Sequence, residues 1–348
     1  MQYFIVNNSY HLLDAVKHID VLGCDNCILI VVAHTIDLSL IDGMSVRVIE
    51  FPKLISSKFD YFAISKWLKF KELIDKNLCV QSDDVLIFYT ELEFSNLVLV
   101  KYCYDREMSV YQIEDNGLAT YIQLNANDIT LFNSSKMCFI KRFFGLKGKE
   151  YFLDGMLYYR IEDKYLSGMI LYSPVGSGRG VPICYLSMDV KSLVAIVERK
   201  QFSVMFLNQD IYNYYMSWSE YRRYLLATFD TLLDADAVYF KFHPREDEVV
   251  KSKIKKMLSG FDVIYIHSSQ PVEIIVDTYL VSKVVTFMSS AALNLYRMGY
   301  EVSFNYQLYP SYMDYQNLRV LDELNLSIFS SLPYGTPTNL KVLLDNAE

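Results

Sequence analysis

Short apolar runs alternate with amphipathic stretches from the first residues of this chain onward. Tyr3-Phe-Ile-Val6 is a strand candidate, and Asn7-Asn8-Ser9 offers cap chemistry for a helix through Leu12, Leu13, Val16 and Ile19. Cys27 to Ala33, Ser45 to Phe51 and Asp84 to Thr90 are the next strands, with a helix carrying Ile64, Trp67, Leu68 and Leu73 among them. Ser109 to Glu114 closes this first run, and Met169 to Tyr172 is strand-like again. A second run opens at Phe202 to Leu207. It continues with a helix from about Trp218 to Leu233, a strand from Ala237 to Phe242, and a helix with Val249, Val250, Ile254, Met257 and Leu258 on one face, stopped by Gly260. Phe261 to Ile266 is the next strand. Pro271 then stands in the first turn of a helix, Lys283 to Phe287 is a strand, and Ser289-Ser290 opens a last helix. Buried strands interleaved with helices predict α/β architecture with parallel, doubly wound sheets.

The length of 348 residues is enough for two domains of ordinary size. An apolar fraction of 52% with 21% charged residues describes a folded globular chain. The net charge of −8 excludes a broad nucleic-acid binder, which needs a basic face. The 29 tyrosines suit a surface that handles sugars, and buried tyrosines account for such a count equally well. The first residues carry no signal-peptide pattern, and the apolar runs are too short to span a bilayer.

Six cysteines show no disulfide framework, as expected of an intracellular chain. Cys24-Asp-Asn-Cys27 lacks a second pair or a nearby histidine at ligand spacing, so packing is preferred to metal or redox use. Lys136 to Lys149 is basic and aromatic; a solvated loop is preferred there to a contact with an anionic membrane. Pro174 to Gly180 is glycine-rich but lacks the Lys-Ser/Thr of a P-loop, and is read as a loop near a domain boundary.

Four short motifs carry candidate chemistry. Lys241-Phe-His243-Pro244 ends a strand, and the proline biases the histidine toward extended backbone at the carboxyl end, where open α/β sheets place ligands. Glu114-Asp115-Asn-Gly puts carboxylates on a tight turn after a strand; this is general-base chemistry or an ordinary turn. Ser289 and Ser290 put hydroxyls and free N–H groups at a helix start, a phosphate seat or a plain cap. Asp234-Ala-Asp236 could suggest a metal-nucleotide site, but it precedes its strand and so lies at the wrong end of a sheet.

In order, an acidic pair near a glycine, Lys-x-His-Pro, Pro-x-Glu and Ser-Ser resemble the motifs of the bacterial sialyltransferases: the family 52 lipooligosaccharide enzymes, the family 80 enzymes and the capsular polysialyltransferases. The resemblance implies a GT-B fold, two Rossmann-like doubly wound domains facing across a cleft. Residues 1–195 would form the acceptor domain and 196–348 the CMP-sugar domain, with the tail after about 310 crossing back. It implies inverting transfer of sialic acid from CMP-sialic acid to a sugar hydroxyl of a bacterial surface glycan (lipooligosaccharide, O-antigen or capsule), on an acceptor ending in galactose. No metal or other cofactor is implied.

By the same resemblance Asp115 is the candidate base and His243 serves the departing CMP phosphate. Ser289 and Ser290 bind that phosphate, Lys241 contacts cytosine, and Glu273 holds the ribose hydroxyls; Pro244 belongs to the His-Pro motif. Asn116 intervenes between the acids and Gly117, a departure from the family pattern that leaves Glu114 open as the base. The implied location is the cytoplasm, with the cytoplasmic face of the inner membrane and a homodimer as further partners. A transferase for another CMP-sugar such as Kdo, and an inactive homologue in glycan assembly, are the alternatives.

Overall fold

Gln2–Val6 (β1) is a strand, and Asn8 caps the helix Ser9–Leu22 (α1) by accepting from the His11 N–H at 2.9 Å. They open a computed structural model that describes residues 1–32, 36, 38–57, 59–91, 93–114, 130–131, 135–153, 156–171, 180–185, 202–213, 216–243, 246–268, 270–287, 289–297 and 300–305. The chain divides into compact units, Met1–Ser187 and Met188–Leu326. The expected return of the tail after 310, like the glycine-rich stretch before Gly180, lies outside the described residues.

In the first unit come Cys27–Val32 (β2), Arg47–Phe51 (β3), Ile64–Asn77 (α2), Val85–Phe88 (β4), Phe94–Tyr104 (α3) and Ser109–Ile113 (β5). They are followed by Thr130–Leu131 (β6), Ser135–Phe144 (α4), Gly148–Leu153 (β7), Met156–Ile161 (β8), Gly168–Leu171 (β9) and Ile183–Tyr185 (β10). Seven strands form one sheet in the order β10-β9-β5-β4-β1-β2-β3, every pair parallel. The β6, β7 and β8 strands form a small antiparallel sheet of their own. Tyr3 and Ile5 of β1 pack into one buried cluster with Trp67 and Phe70 of α2, while Phe4 between them is buried on the opposite face. Burial on both faces explains why these strands read as continuous apolar runs.

The second unit holds Ser203–Leu207 (β11), Trp218–Asp230 (α5), Ala237–Lys241 (β12), Glu248–Met257 (α6), Ile264–Ile266 (β13), Val272–Thr278 (α7), Lys283–Thr286 (β14), Ser290–Arg297 (α8) and Glu301–Phe304 (β15). Its sheet runs β13-β12-β11-β14-β15, again entirely parallel. Counted along each unit, both sheets share the strand order 3-2-1-4-5, which is a doubly wound sheet of the kind expected from the sequence. Met205 and Leu207 of β11 join the cluster of Ile275, Val276 and Leu295, and Phe206 instead meets the Phe229 ring edge-on and the Phe240 ring at a tilt.

Several elements differ from the sequence reading. Helix α3 is absent from it because Phe94 to Val100 are all buried, leaving no polar face to reveal a helical period. The basic stretch 136–149 is not a solvated loop: it forms most of α4 and the start of β7, with Ile140 and Phe144 buried beside Trp67. The apolar face expected of α6 is narrower, since Val249 is 78% exposed and only Ile254 of that helix is fully buried. Pro271 stands one position before the first turn of α7, as its N-cap. Cys27 is buried at the start of β2, its thiol pushed up to about 11 by burial and then by Cys24, which fits packing and not redox exchange.

Candidate active site

In each large sheet the strand order reverses at one place, between β1 and β4 and between β11 and β14. At such a reversal the connections leave toward opposite sides, and the carboxyl ends of the two strands border a crevice that binds ligands in open α/β sheets.

In the second unit Asn208 follows β11, His243 follows β12 and Ser289 follows β14, so both motif positions and Asn208 fall on the carboxyl edge. The Asn208 N–H donates to the Lys241 carbonyl at 2.9 Å, extending the pairing beyond the strand. Thr286, fully buried at the end of β14, donates its hydroxyl to the Leu207 carbonyl at 2.9 Å and ties the two strands together at the reversal. Ser289 is half-buried, and its carbonyl accepts from the Ala292 N–H at 3.1 Å as α8 begins. The first turn of that helix offers N–H groups without intrahelical partners, suited to an anion. Ser290 is its first residue.

His243 is half-buried and held through its backbone. Its N–H donates to Glu246 Oε2 at 2.8 Å, and its carbonyl accepts from the Glu246 N–H at 3.0 Å. Glu246 is buried, and burial raises its carboxyl above the ordinary range against the lowering pull of bonds from Tyr212, His243 and Asn208. Lys241 is buried as well and donates through Nζ to the Ser268 carbonyl at 2.8 Å. Burial lowers its pKa, and the Glu273 carboxylate opposes that shift, so these two predicted residues do share one electrostatic environment. Glu273, in the first turn of α7, accepts from Asn294 Nδ2 at 3.0 Å. Pro244 lies outside the described residues.

In the first unit Glu114 directly follows β5. It is buried, and its N–H donates to the Ile170 carbonyl at 2.8 Å, continuing the sheet toward β9. Asp115 and the Asn-Gly turn lie outside the described residues. At the reversal, Asn7 after β1 and Asn96 in α3 exchange side-chain amide bonds of 3.0 and 2.8 Å, and Asn96 also donates to the Thr90 carbonyl at 2.9 Å. His11 stacks on Tyr89 at 4.5 Å, and Tyr89 Oη donates to Asp14 Oδ2 at 3.0 Å. The strand-end amino acids here are thus fastened by buried neutral and acidic side chains before any ligand is considered.

Asp236 stands at the other end of the second sheet. Its Oδ2 accepts from the Phe202 N–H at 2.8 Å where β11 and β12 begin, a structural cap far from the strand ends that carry the motifs. Asn208, Glu246, Thr286 and Asn294 escaped the sequence reading. Asn208 alone had a signal: it follows β11 as His243 closely follows β12.

Two parallel doubly wound units with motif residues on their carboxyl edges are the units of the GT-B fold, and comparison with known structures agrees on that fold. The chain is similar to the α/β-galactoside α-2,3-sialyltransferase of Photobacterium phosphoreum, at 11% identity over 93% of this chain and 95% of that one, TM-score 0.51. It is also similar to S. aureus MnaA in a structure with UDP (8% identity, 99% and 95% covered, TM-score 0.55). A third is UDP-GlcNAc 2-epimerase from Neisseria meningitidis bound to UDP-GlcNAc (9% identity, 100% and 99% covered, TM-score 0.50). At such identities the likeness is one of fold. No curated protein matches the sequence.

The family is decided by the sequence: the model of the alpha-2,8-polysialyltransferase (POLYST) family matches residues 2–299, and the chain belongs to that family. It is a sialyltransferase of the bacterial GT-B type.

Proposed function

We propose that this sialyltransferase takes sialic acid from CMP-sialic acid and passes it, with inversion, to a sugar hydroxyl of a bacterial surface glycan. The observation that carries this reading is the common placement of His243 and Ser289 on the carboxyl edge of the second sheet, beside its strand-order reversal. In the proposed reaction a carboxylate, Asp115 in preference to Glu114, takes the proton of the acceptor hydroxyl. The hydroxyl oxygen attacks the anomeric carbon as the bond to the CMP phosphate breaks. His243 gives a proton to the departing phosphate, and Ser289, Ser290 and the start of α8 bind it. Lys241 and Glu273 serve the nucleoside. The family's description favours another sialic acid, joined α-2,8, as acceptor terminus over the galactose expected from the wider resemblance.

The direct test offers CMP-Neu5Ac and CMP-Kdo with sialylated and galactose-ended acceptors, and reads transfer, linkage and stereochemistry. Transfer from CMP-Neu5Ac that survives EDTA is expected. Transfer only from CMP-Kdo, loss of activity restored by Mg²⁺ or Mn²⁺, or hydrolysis of neither donor would each overturn a part of this reading.

A peripheral contact with an anionic membrane on the cytoplasmic side belongs to the same proposal. Phe59, Phe62 and Phe139 are 75, 57 and 48% exposed, and Phe62 and Phe139 lie ring to ring at 6.4 Å. Residues 135–149 carry five Lys or Arg and no Asp or Glu. Exposed aromatics beside basic side chains fit the headgroup region of an anionic bilayer. No helix among the described residues is long and apolar enough to cross a membrane. Co-flotation with phosphatidylglycerol vesicles but not with phosphatidylcholine vesicles is expected; equal flotation with neither would remove the contact.

A further inference from the structure

Glu246 has no part in the chemistry proposed above, yet its carboxylate is one of the most fully engaged groups of the second unit. It is 5% exposed. Oε1 accepts from Asn208 Nδ2 at 2.6 Å and from Tyr212 Oη at 2.9 Å, and Oε2 accepts from the His243 N–H at 2.8 Å. Tyr221 Oη donates to Asn208 Oδ1 at 2.7 Å, which turns the amide nitrogen of Asn208 toward the carboxylate. Trp218 stacks on the Tyr212 ring at 4.1 Å and fixes that hydroxyl's approach. Meanwhile the Glu246 N–H donates to the His243 carbonyl at 3.0 Å. Both backbone polar groups of His243 are therefore gripped by a single residue.

We infer that Glu246 is the positioning residue for His243, its carboxylate fixing the backbone from which the imidazole reaches the departing phosphate. This rests on the role proposed for His243. The chemistry requires an acceptor on both sides: three donors converge on the two oxygens, and a carboxyl group offers an acceptor oxygen to each side where an amide offers one oxygen and an NH₂. A glutamine of the same shape would turn its NH₂ toward either the His243 N–H or the Asn208–Tyr212 pair, so one side must open. Folding alone gives a poor reason for the carboxylate. Burying a charge opposes stability unless every lone pair is met, and an uncharged group of similar volume would serve packing as well or better. The position of this charge, at the strand end beside the His-Pro motif, gives it a catalytic use.

The test compares Glu246→Gln, His243→Ala and the double variant in CMP-sialic acid transfer, with Tm measured on each. Misplacing a reacting group by about 1 Å costs on the order of 100-fold, so Glu246→Gln should lower kcat by about 10- to 100-fold. Donor KM should change little and Tm should hold or rise. In the His243→Ala background the same change should alter kcat by less than about twofold, because the residue acts through the missing imidazole. A Glu246→Gln enzyme with parental kcat beside a crippled His243→Ala would overturn the inference. So would an equal fall of kcat in both backgrounds, or a kcat loss that follows a matching fall in Tm. Parental kcat in His243→Ala would instead remove the role of His243, and that of Glu246 with it. Should Glu246→Gln not fold, amide exchange in the unmodified protein decides: slow exchange at His243 supports the clamp, and the rate of an open loop overturns it.

Discussion

The two parallel sheets share one strand order but close their carboxyl edges with different chemistry. In the first unit the reversal is fastened by Asn7 and Asn96, neutral amides that satisfy each other in both directions. In the second unit the corresponding edge holds ionisable groups: Glu246 under His243, and Lys241 in the field of Glu273. Strand order alone therefore does not choose the chemistry of a switch point. A mutually satisfied amide pair exchanges no protons itself, and the ionisable groups of the first edge, Glu114, His11 and Asp14, lie outside the pair. Buried charges make an edge whose energy depends on pH and on any charged ligand that arrives.

The largest effects should come from removing the groups proposed to move protons. His243→Ala should lower kcat by roughly 100- to 10,000-fold, the usual contribution of a general acid. On the first unit, Asp115→Asn should abolish transfer while leaving CMP-donor binding, measured by calorimetry, nearly intact. Glu114→Gln should be much milder: the described Glu114 is buried and continues the strand's bonding, and alternation sends the side chains of neighbouring strand residues to opposite faces. The reverse ranking would make Glu114 the base. Equal, mild effects would leave the first unit without one.

Next in size is the amide pair. Asn96→Leu removes both amide bonds of the buried Asn7 side chain and one donor to the Thr90 carbonyl, and should cost about 1–3 kcal/mol in denaturant unfolding. Adding Asn7→Leu should recover part of that loss, since replacing both partners removes the orphaned group. Additive losses would mean the pair is not the unit that closes this edge.

The pH dependence of stability should separate the two edges more finely. Burial holds the folded Glu246 carboxyl above its unfolded value of about 4.3, so the stability it gives is present below that pH. It is lost as pH rises through the raised folded pKa. Relative to Glu246→Gln, the parent should therefore lose stability across that acidic window. Lys241 acts in the other sense: its folded pKa is lowered by burial, so stability rises with pH from that lowered value toward about 10.4. Replacing Asn7 and Asn96 by Leu should leave both slopes as they are in the parent. Urea melts at a series of pH values read all of these, and an identical profile for parent and Glu246→Gln would contradict the raised carboxyl.

The smallest change in stability is expected at the exposed aromatics. Phe62→Ser should shift unfolding by less than about 0.5 kcal/mol, as exposed positions usually do. The same substitution should weaken flotation with anionic vesicles. Loss of stability without loss of vesicle binding would make Phe62 a packing residue and not a membrane contact.

How much of this could be read from residues depends on how local each determinant is. The strands were legible because burial on both faces makes them continuous apolar runs: Tyr3 to Val6, Cys27 to Val32 and Ser203 to Leu207. The His-Pro and Ser-Ser motifs were legible because each sits where a strand ends and a loop begins, a boundary written in adjacent residues. Helix α3 was not, since a helix buried on every side loses the period that announces it. The basic 136–149 stretch misled for a related reason: Phe143 and Phe144 pack on Trp67 from a segment distant in sequence, which local charge density hides.

The sequence by itself determined the doubly wound class, the family and the order in which the motifs meet the strands, because each depends on short-range patterns that any fold must respect. Only the tertiary structure decided which groups support the motifs. Glu246 is three residues from His243, yet its value as a clamp comes from Asn208 and Tyr212 in the segment after β11 and from Tyr221 in α5. Asn96 meets Asn7 across 89 residues, and Asn294 meets Glu273 between two helices. Such partnerships arise when strand pairing and helix packing carry distant polar groups into one water-poor space, where each must find a partner or be costly to bury.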